Sequence, residues 1–233
     1  MVGECNDLQP IDYCDRVPSG QFGATCAVAD PELNVTQGTM KEKGIMTSEY
    51  LAFIAFDLGD TMMIEETEHK DADGVTLRAE LIVGMAEWIR DLKAQGILLG
   101  LIADTKVGTY QNVLRQHGLW HCFQVFSISD ELGVSKPHPK MFDHARSVAS
   151  QLGAPTDYLL MVGNHYQRDI VGAKRSGYDA CWFHWNDRDR ALEEALAADG
   201  IVKSATELRQ WTEVVTASIN LPLYSIVWYN SSG

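Results

Sequence analysis

The sequence predicts an α/β fold built on a doubly wound parallel sheet. Three observations carry that expectation. Short apolar runs such as Phe53-Ile54-Ala55-Phe56 and Ile97 to Ala103 lack the in–out alternation of a half-exposed strand. Segments with apolar residues at helical spacing separate the runs. Most of those segments stop at a glycine: Gly96, Gly118, Gly153 or Gly177. Strands buried on both faces and joined by helices make a parallel sheet covered on two sides, a Rossmann-like arrangement.

In chain order, Leu51 to Asp57 is the first predicted strand, and Thr76 to Gln95 is a helix closed by Gly96. Ile97 to Ala103 is the second strand, followed by a helix over Val107 to His117 and a third strand over Cys122 to Ser127. Pro139 to Leu152 is helical, with proline at a helix start and Gly153 at its end. Tyr158 to Val162 is the fourth strand, Gln167 to Ser176 a helix, and Asp179 to His184 the fifth strand. Asp187 to Ala198 is predicted helical, Ile201-Val202 a short edge strand, and Ala205 to Val215 a last helix. The expectation is thus about five strands plus a short edge strand, with no segment long enough for a cap domain.

Residues 1–48 carry Pro, Gly, Ser and Thr without a sustained period and read as a poorly ordered N-terminal extension. Residues 49–216 form the α/β domain, and 217–233 a C-terminal tail. The 233-residue length suits one well-buried domain with appendages, and 45% apolar and 22% charged residues are ordinary for a soluble globular protein. A formal charge of −13 argues against nucleic acid as the partner. No apolar run is long enough for a membrane span, and the N-terminus lacks the pattern of a secretory signal. Five cysteines without CxxC spacing read as reduced thiols, so a cytoplasmic location is expected.

In a parallel sheet the ligand site lies beyond the carboxyl ends of the strands, where strand order reverses. Four such places carry polar groups: Asp57-Leu58-Gly59-Asp60-Thr61, Asp104-Thr105, Ser135-Lys136-Pro137, and Gly163-Asn164 with Arg168-Asp169. Carboxylates and a lysine converging there would suit a divalent cation and a phosphate. Magnesium takes oxygen ligands and keeps several waters, so two acids and a carbonyl suffice.

These stretches, "FDLGDT", "LIADT", "SKPHPKMF" and "MVGNHYQRDIVGAKRSGY", resemble in order and separation the motifs of the haloacid dehalogenase-like (HAD) superfamily of hydrolases. The resemblance implies that Asp57 is a nucleophile forming a transient aspartyl-phosphate, and that Lys136 neutralises it and the phosphoryl oxygens. It implies a Mg2+ ion held by Asp57, the backbone carbonyl of Gly59, Asn164 and Asp169. It implies phosphate binding by Asp104, Thr105, Lys136 and Asn164. The function so implied is a magnesium-dependent phosphatase acting on a phosphorylated small molecule or a phosphoprotein.

Three positions depart from that pattern. Gly59 stands where most phosphatases of the superfamily carry an aspartate that handles the leaving-group proton, so weak or narrow activity is expected. Asp60 would replace it only if the turn were re-aimed. Ala103 or Asp104 falls where a small hydroxyl residue usually binds phosphate, with Thr105 as the substitute. Asn164 replaces a usual aspartate. The same departures would suit a catalytically reduced relative that binds a phosphorylated ligand or a protein partner. Dehalogenases also lack the aspartate at position 59, but they close the site with a cap for which this chain has no room. An uncapped site stays open unless a homo-oligomer or the N-terminal extension covers it. His165 and Arg168 flank the site, where exposed loop polarity explains them as well as substrate contact does.

Overall fold

A computed structural model describes residues 50–186 and 197–220. The predicted extension, the helix predicted over 187–198 (apart from its last two residues) and the end of the tail lie outside the described residues. Those described all belong to the compact unit Ile45–Gly233.

Six strands form the central sheet: β1 (Phe53–Phe56), β4 (Leu98–Ala103), β5 (Val125–Ile128), β6 (Leu159–Gly163), β7 (Asp179–Phe183) and β8 (Gly200–Val202). Their spatial order is β5-β4-β1-β6-β7-β8, and every neighbouring pair is parallel. The chain runs outward from β1 through β4 to β5, then returns to β6 on the other side of β1. Strand order therefore reverses at β1, whose carboxyl end is the expected ligand crevice.

Adjacent residues of β1 serve opposite faces, as the two-residue period requires. Ile54 and Phe56 join a core with Leu99, Leu101 and Val162, covered by Trp88 and Ile89 of α1 (Met85–Ala94) and by Val113 and Leu114 of α2 (Val107–Gln116). Phe53 and Ala55 join the other core, with Met161 and Ala180, covered by Met141, Phe142 and Ala145 of α4 (Pro139–Gln151). The Phe56 ring meets Trp88 edge-on at 5.3 Å and Phe123 at 6.2 Å. Such pairs contribute about 0.5–1.5 kcal/mol each beyond burial. They fix the strand that leads into Asp57.

The largest difference from the sequence expectation lies in the predicted helix Thr76 to Gln95. Only Met85–Ala94 is helical, while Thr76–Arg78 is β3, paired antiparallel with β2 (His69–Lys70). Side chains of α2 draw this segment into extended form. Thr109 Oγ1 accepts from Thr76 N at 2.9 Å, Asn112 Nδ2 donates to Thr76 O at 3.0 Å, and Gln116 bonds both the N–H and the carbonyl of Ala79 at 3.0 Å. Gly84, at φ +86°, then turns the chain into α1. Tertiary partners thus override a helical apolar period.

Three smaller differences occur. The predicted helix over Gln167 to Ser176 opens with a π-helical turn, Tyr166–Val171, before the short α5 (Gly172–Arg175). The last helix, α6, runs over Ala205–Asn220 rather than stopping at Val215, and α3 (Ser129–Leu132) adds a short helix before the Lys136 loop. Among the described residues there is no cap domain and no helix long and apolar enough to cross a membrane.

Candidate active site

Asp57 follows β1 directly. Its N–H donates to Val162 O at 2.9 Å, extending the ladder by one residue and placing the carboxylate at the rim of the sheet. Asp57 Oδ1 is 2.5 Å from Lys136 Nζ, and the same ammonium lies 2.7 Å from Asp169 Oδ1. The side chains of Lys136 and Asp169 are each 1% exposed, and that of Asp57 is 13%. A buried chain of acid, lysine and acid therefore opens to solvent only at Asp57.

Lys136 reaches this place because Asp104, just past β4, holds its backbone: Asp104 Oδ1 accepts from Lys136 N at 2.9 Å. Asp169 is aimed inward by the π-helical turn, a distortion frequent at functional sites. Its Oδ2 accepts from His165 N at 2.9 Å. Gly163 makes room for it, since a Cβ there would overlap the Asp169 side chain. Thr61 Oγ1 donates to Asp57 Oδ2 at 3.4 Å.

Electrostatics follow from the burial. Removal from water raises the Asp57 carboxyl above its ordinary value; Lys136 opposes the rise and Asp169 adds to it. Burial alone would lower the Lys136 ammonium, but Asp169, Asp57 and Asp104 together hold it above lysine's ordinary range, so it stays charged. Three carboxylates around one buried lysine leave an excess of negative charge, and the buried Asp169 Oδ1 meets only the Lys136 ammonium that Asp57 shares. That surplus of hard oxygen donors fits a divalent cation. No cluster of three or more His, Cys, Asp or Glu stands ready among the described residues, so backbone oxygen or water would complete such a site.

Asp57, Leu58 and Gly59 form the floor of a cavity of about 300 Å3. Asp104, Thr105, Lys106 and Arg168 line one side, and Glu65, Glu68, Lys70 and Thr76 line another; these four belong to a flap, residues 65–80, that contains the β2–β3 hairpin. Thr105, the residue suggested as a phosphate-binding substitute, is thus on the cavity wall. Asp104 lines the cavity too, but one oxygen is committed to Lys136 N and the other lies 3.6 Å from Arg168 Nη1. Asn164 is half-buried and does not line the cavity; its backbone carbonyl accepts from Trp182 Nε1 at 2.8 Å. His165 caps the π-helical turn, its Nδ1 accepting from Arg168 N at 3.4 Å.

Asp60 is not re-aimed at the cavity. It adopts φ +48°, a left-handed conformation that Asp tolerates better than most residues, and it is buried. Its Oδ1 accepts from Glu65 N at 3.0 Å, its Oδ2 from Asn186 Nδ2 at 3.1 Å, and its carbonyl from Trp185 Nε1 at 2.6 Å. Asp60 ties the flap to the body of the domain.

The flap hairpin is the part of the site that strand-end reasoning missed. Glu68 is fixed within it by Thr76 Oγ1 at 2.5 Å and Lys70 Nζ at 2.8 Å, and Lys106 Nζ reaches across to the carbonyl of Asp73. Glu65 lies over Gly59 instead: a Cβ at position 59 would overlap Glu65 Oε1. No spacing rule in the sequence distinguishes these two acids. Only the positions of Gly59 and the hairpin do.

Comparison with known proteins identifies the family. A family model described as haloacid dehalogenase-like hydrolase matches residues 30–183. The pyrimidine 5'-nucleotidase YjjG of Escherichia coli (strain K12) is 34% identical over 113 residues, 48% of this chain and 48% of that protein. A glyceraldehyde 3-phosphate phosphatase of Pyrococcus furiosus is 32% identical over 136 residues, 58% of this chain and 54% of that one. The chain thus spans about half the length of the curated relatives it matches. Among solved structures, a HAD phosphatase from Thermococcus onnurineus superposes with a TM-score of 0.56 at 19% identity, covering 69% of this chain and 97% of its own. The magnesium-bound HAD-hydrolase YfnB from Bacillus subtilis gives 0.55 at 16% identity, covering 70% and 99%. At such identities these structures speak for the fold alone. With the family model covering most of the described domain, the chain belongs to the haloacid dehalogenase-like hydrolases.

Proposed function

We propose that this protein is a phosphatase that releases inorganic phosphate from small phosphomonoesters through an aspartyl-phosphate on Asp57. The observation that carries the reading is the Asp57–Lys136–Asp169 chain, at 2.5 and 2.7 Å, whose Asp57 end meets the cavity where strand order reverses. An acid buried among like charges is costly, and a solvated pair would serve stability better. Its position at the floor of a cavity suits a nucleophile. The relatives described as phosphatases or nucleotidases support the same class of reaction.

In this reading Asp57 attacks phosphorus with the oxygen that Lys136 does not hold. Lys136 favours the ionised form of the nucleophile and balances charge on the phosphoryl oxygens. Thr105 and the Arg168 guanidinium, on the cavity wall, would bind those oxygens. A Mg2+ ion held by Asp57 and Asp169, with the Gly59 carbonyl and water, would supply electrostatic stabilisation of the transferring group. The cavity is at the small end for ligand sites and is walled by the flap, which favours a compact substrate over a phosphoprotein. Position 59 offers no acid, so without another carboxylate alkyl phosphates would turn over about 10²–10⁴-fold more slowly. Activity would then be narrow.

The test is phosphate release from acetyl phosphate, p-nitrophenyl phosphate and a set of sugar phosphates, with Mg2+ and with chelator, for the wild type and Asp57→Asn. Magnesium-dependent release by the wild type that vanishes in the variant is expected. Equal silence of both on every compound would overturn the proposal.

A further inference from the structure

We propose that Glu65 of the flap supplies the carboxylate that position 59 lacks, and that it exchanges the proton with the leaving group and with water. The inference rests on the phosphatase reading above and deepens it. Gly59 is two residues beyond Asp57, on the cavity floor, and the space that a side chain there would fill is held by Glu65 Oε1. The carboxylate thus arrives from six residues further along the chain at the place a residue-59 side chain would reach.

Two features of the flap hold it there. The Glu65 backbone N–H is anchored at 3.0 Å on Asp60 Oδ1, and Asp60 is itself buried and tied to Trp185 and Asn186. The hairpin that follows is pinned to α2 through Thr76 and Ala79. Glu68, the other flap acid on the cavity wall, is committed to Thr76 and Lys70 and lies on the hairpin side. Asp104 is committed to Lys136 N and faces Arg168. Of the carboxylates around the cavity other than the nucleophile, Glu65 is the one set directly over the residue that follows Leu58.

The chemistry balances with Glu65 in this role. In the first step the Asp57 oxygen–phosphorus bond forms and the phosphorus–leaving-oxygen bond breaks. The Glu65 carboxyl gives its proton to that oxygen, so an alcohol departs and Glu65 is left as the carboxylate. In the second step a water oxygen attacks the aspartyl-phosphate and its proton passes to Glu65. The phosphorus–Asp57 bond breaks, releasing phosphate and restoring both side chains. Leaving groups that are already weak bases, such as acetate or p-nitrophenolate, need no proton in the first step.

The discriminating experiment compares Glu65→Gln with the wild type on glycerol phosphate and on p-nitrophenyl phosphate, with Asp57→Asn as the control for the reaction itself. Loss of a positioned proton donor lowers kcat on the alkyl ester by about 100-fold or more, and on the aryl ester by less than about tenfold. The double variant Gly59→Asp/Glu65→Ala regains alkyl turnover, because truncation of residue 65 vacates the space that the new side chain fills. A loss of equal size on both substrates, or none on either, overturns the role of Glu65 while leaving Asp57 as nucleophile. Wild-type turnover of aryl but not alkyl phosphates overturns it as well. Silence of the wild type on every ester removes the phosphatase reading and this inference with it.

Discussion

Removal of the Lys136 ammonium is the most informative perturbation of the fold. Its Nζ lies 2.5 Å from Asp57 and 2.7 Å from Asp169, with Lys136 and Asp169 almost wholly buried. At an effective dielectric near 20, a unit-charge pair at such a separation attracts by about 6 kcal/mol, most of which offsets the cost of taking the charges out of water. Lys136→Met keeps the length and loses the charge. It leaves two carboxylates facing one apolar tip, and breaking a buried pair from one side costs about 3–5 kcal/mol. Urea unfolding in chelator, which keeps any divalent cation from substituting for the lysine, measures the loss. For a domain of this size it corresponds to a fall in Tm of about 10 °C. Adding Asp169→Asn to Lys136→Met removes one stranded charge and is expected to recover about half of the loss or more. A cost below about 1 kcal/mol for the single variant would refute the reasoning, because the charge chain would then not be held dry as its exposure indicates. The same holds if the second substitution adds to the loss.

Gly163→Ala inserts a Cβ into space taken by the Asp169 side chain. It is expected to destabilise by about 1–3 kcal/mol through overpacking and to abolish activity by turning Asp169 off Lys136, as read by thermal unfolding and phosphate release. Burial pushes the Cys181 thiol up to about 12, with Asp199 adding to the rise. The unfolded thiol ionises near 9, so the contribution is fully present below that pH and is lost as pH rises from about 9 towards 12. The wild type should lose stability over that window more steeply than Cys181→Ala, by up to about 1.4 kcal/mol per pH unit. Identical slopes in urea unfolding would count against the burial of this thiol.

Much of the fold was legible because the determinants are local. Apolar runs at Phe53, Ile97, Tyr158 and Asp179 marked buried strands, and glycines such as Gly118 and Gly153 marked helix ends where the chain takes φ of +64° and +86°. The parallel order followed from strands without alternation. The flap was not legible. Thr76 to Glu80 carries residues compatible with a helix, and its extended form depends on Thr109, Asn112 and Gln116, some 33 to 37 residues away. The candidate site divided along the same line. Asp57, Lys136 and Asp169 sit at strand ends and loops where the parallel sheet must converge, so their proximity could be expected from topology. The direction of Asp60 and the place of Glu65 depend on a turn closed by Trp185 and Asn186, more than a hundred residues downstream. Asn164, grouped with Asp169 in the sequence reading, precedes the π-helical turn and gives its backbone carbonyl to Trp182, whereas Asp169 meets the lysine from within that turn.

The central claim is that Asp57 becomes covalently phosphorylated. Rapid acid quench of the enzyme with acetyl phosphate and Mg2+, followed by mass spectrometry of the peptide containing residues 51–70, tests it most directly. The account predicts a species heavier by one phosphoryl group, located on Asp57, formed within the first turnover and absent from Asp57→Asn. Steady release of phosphate with no such species at any quench time, or a phosphoryl group on another residue, would contradict it.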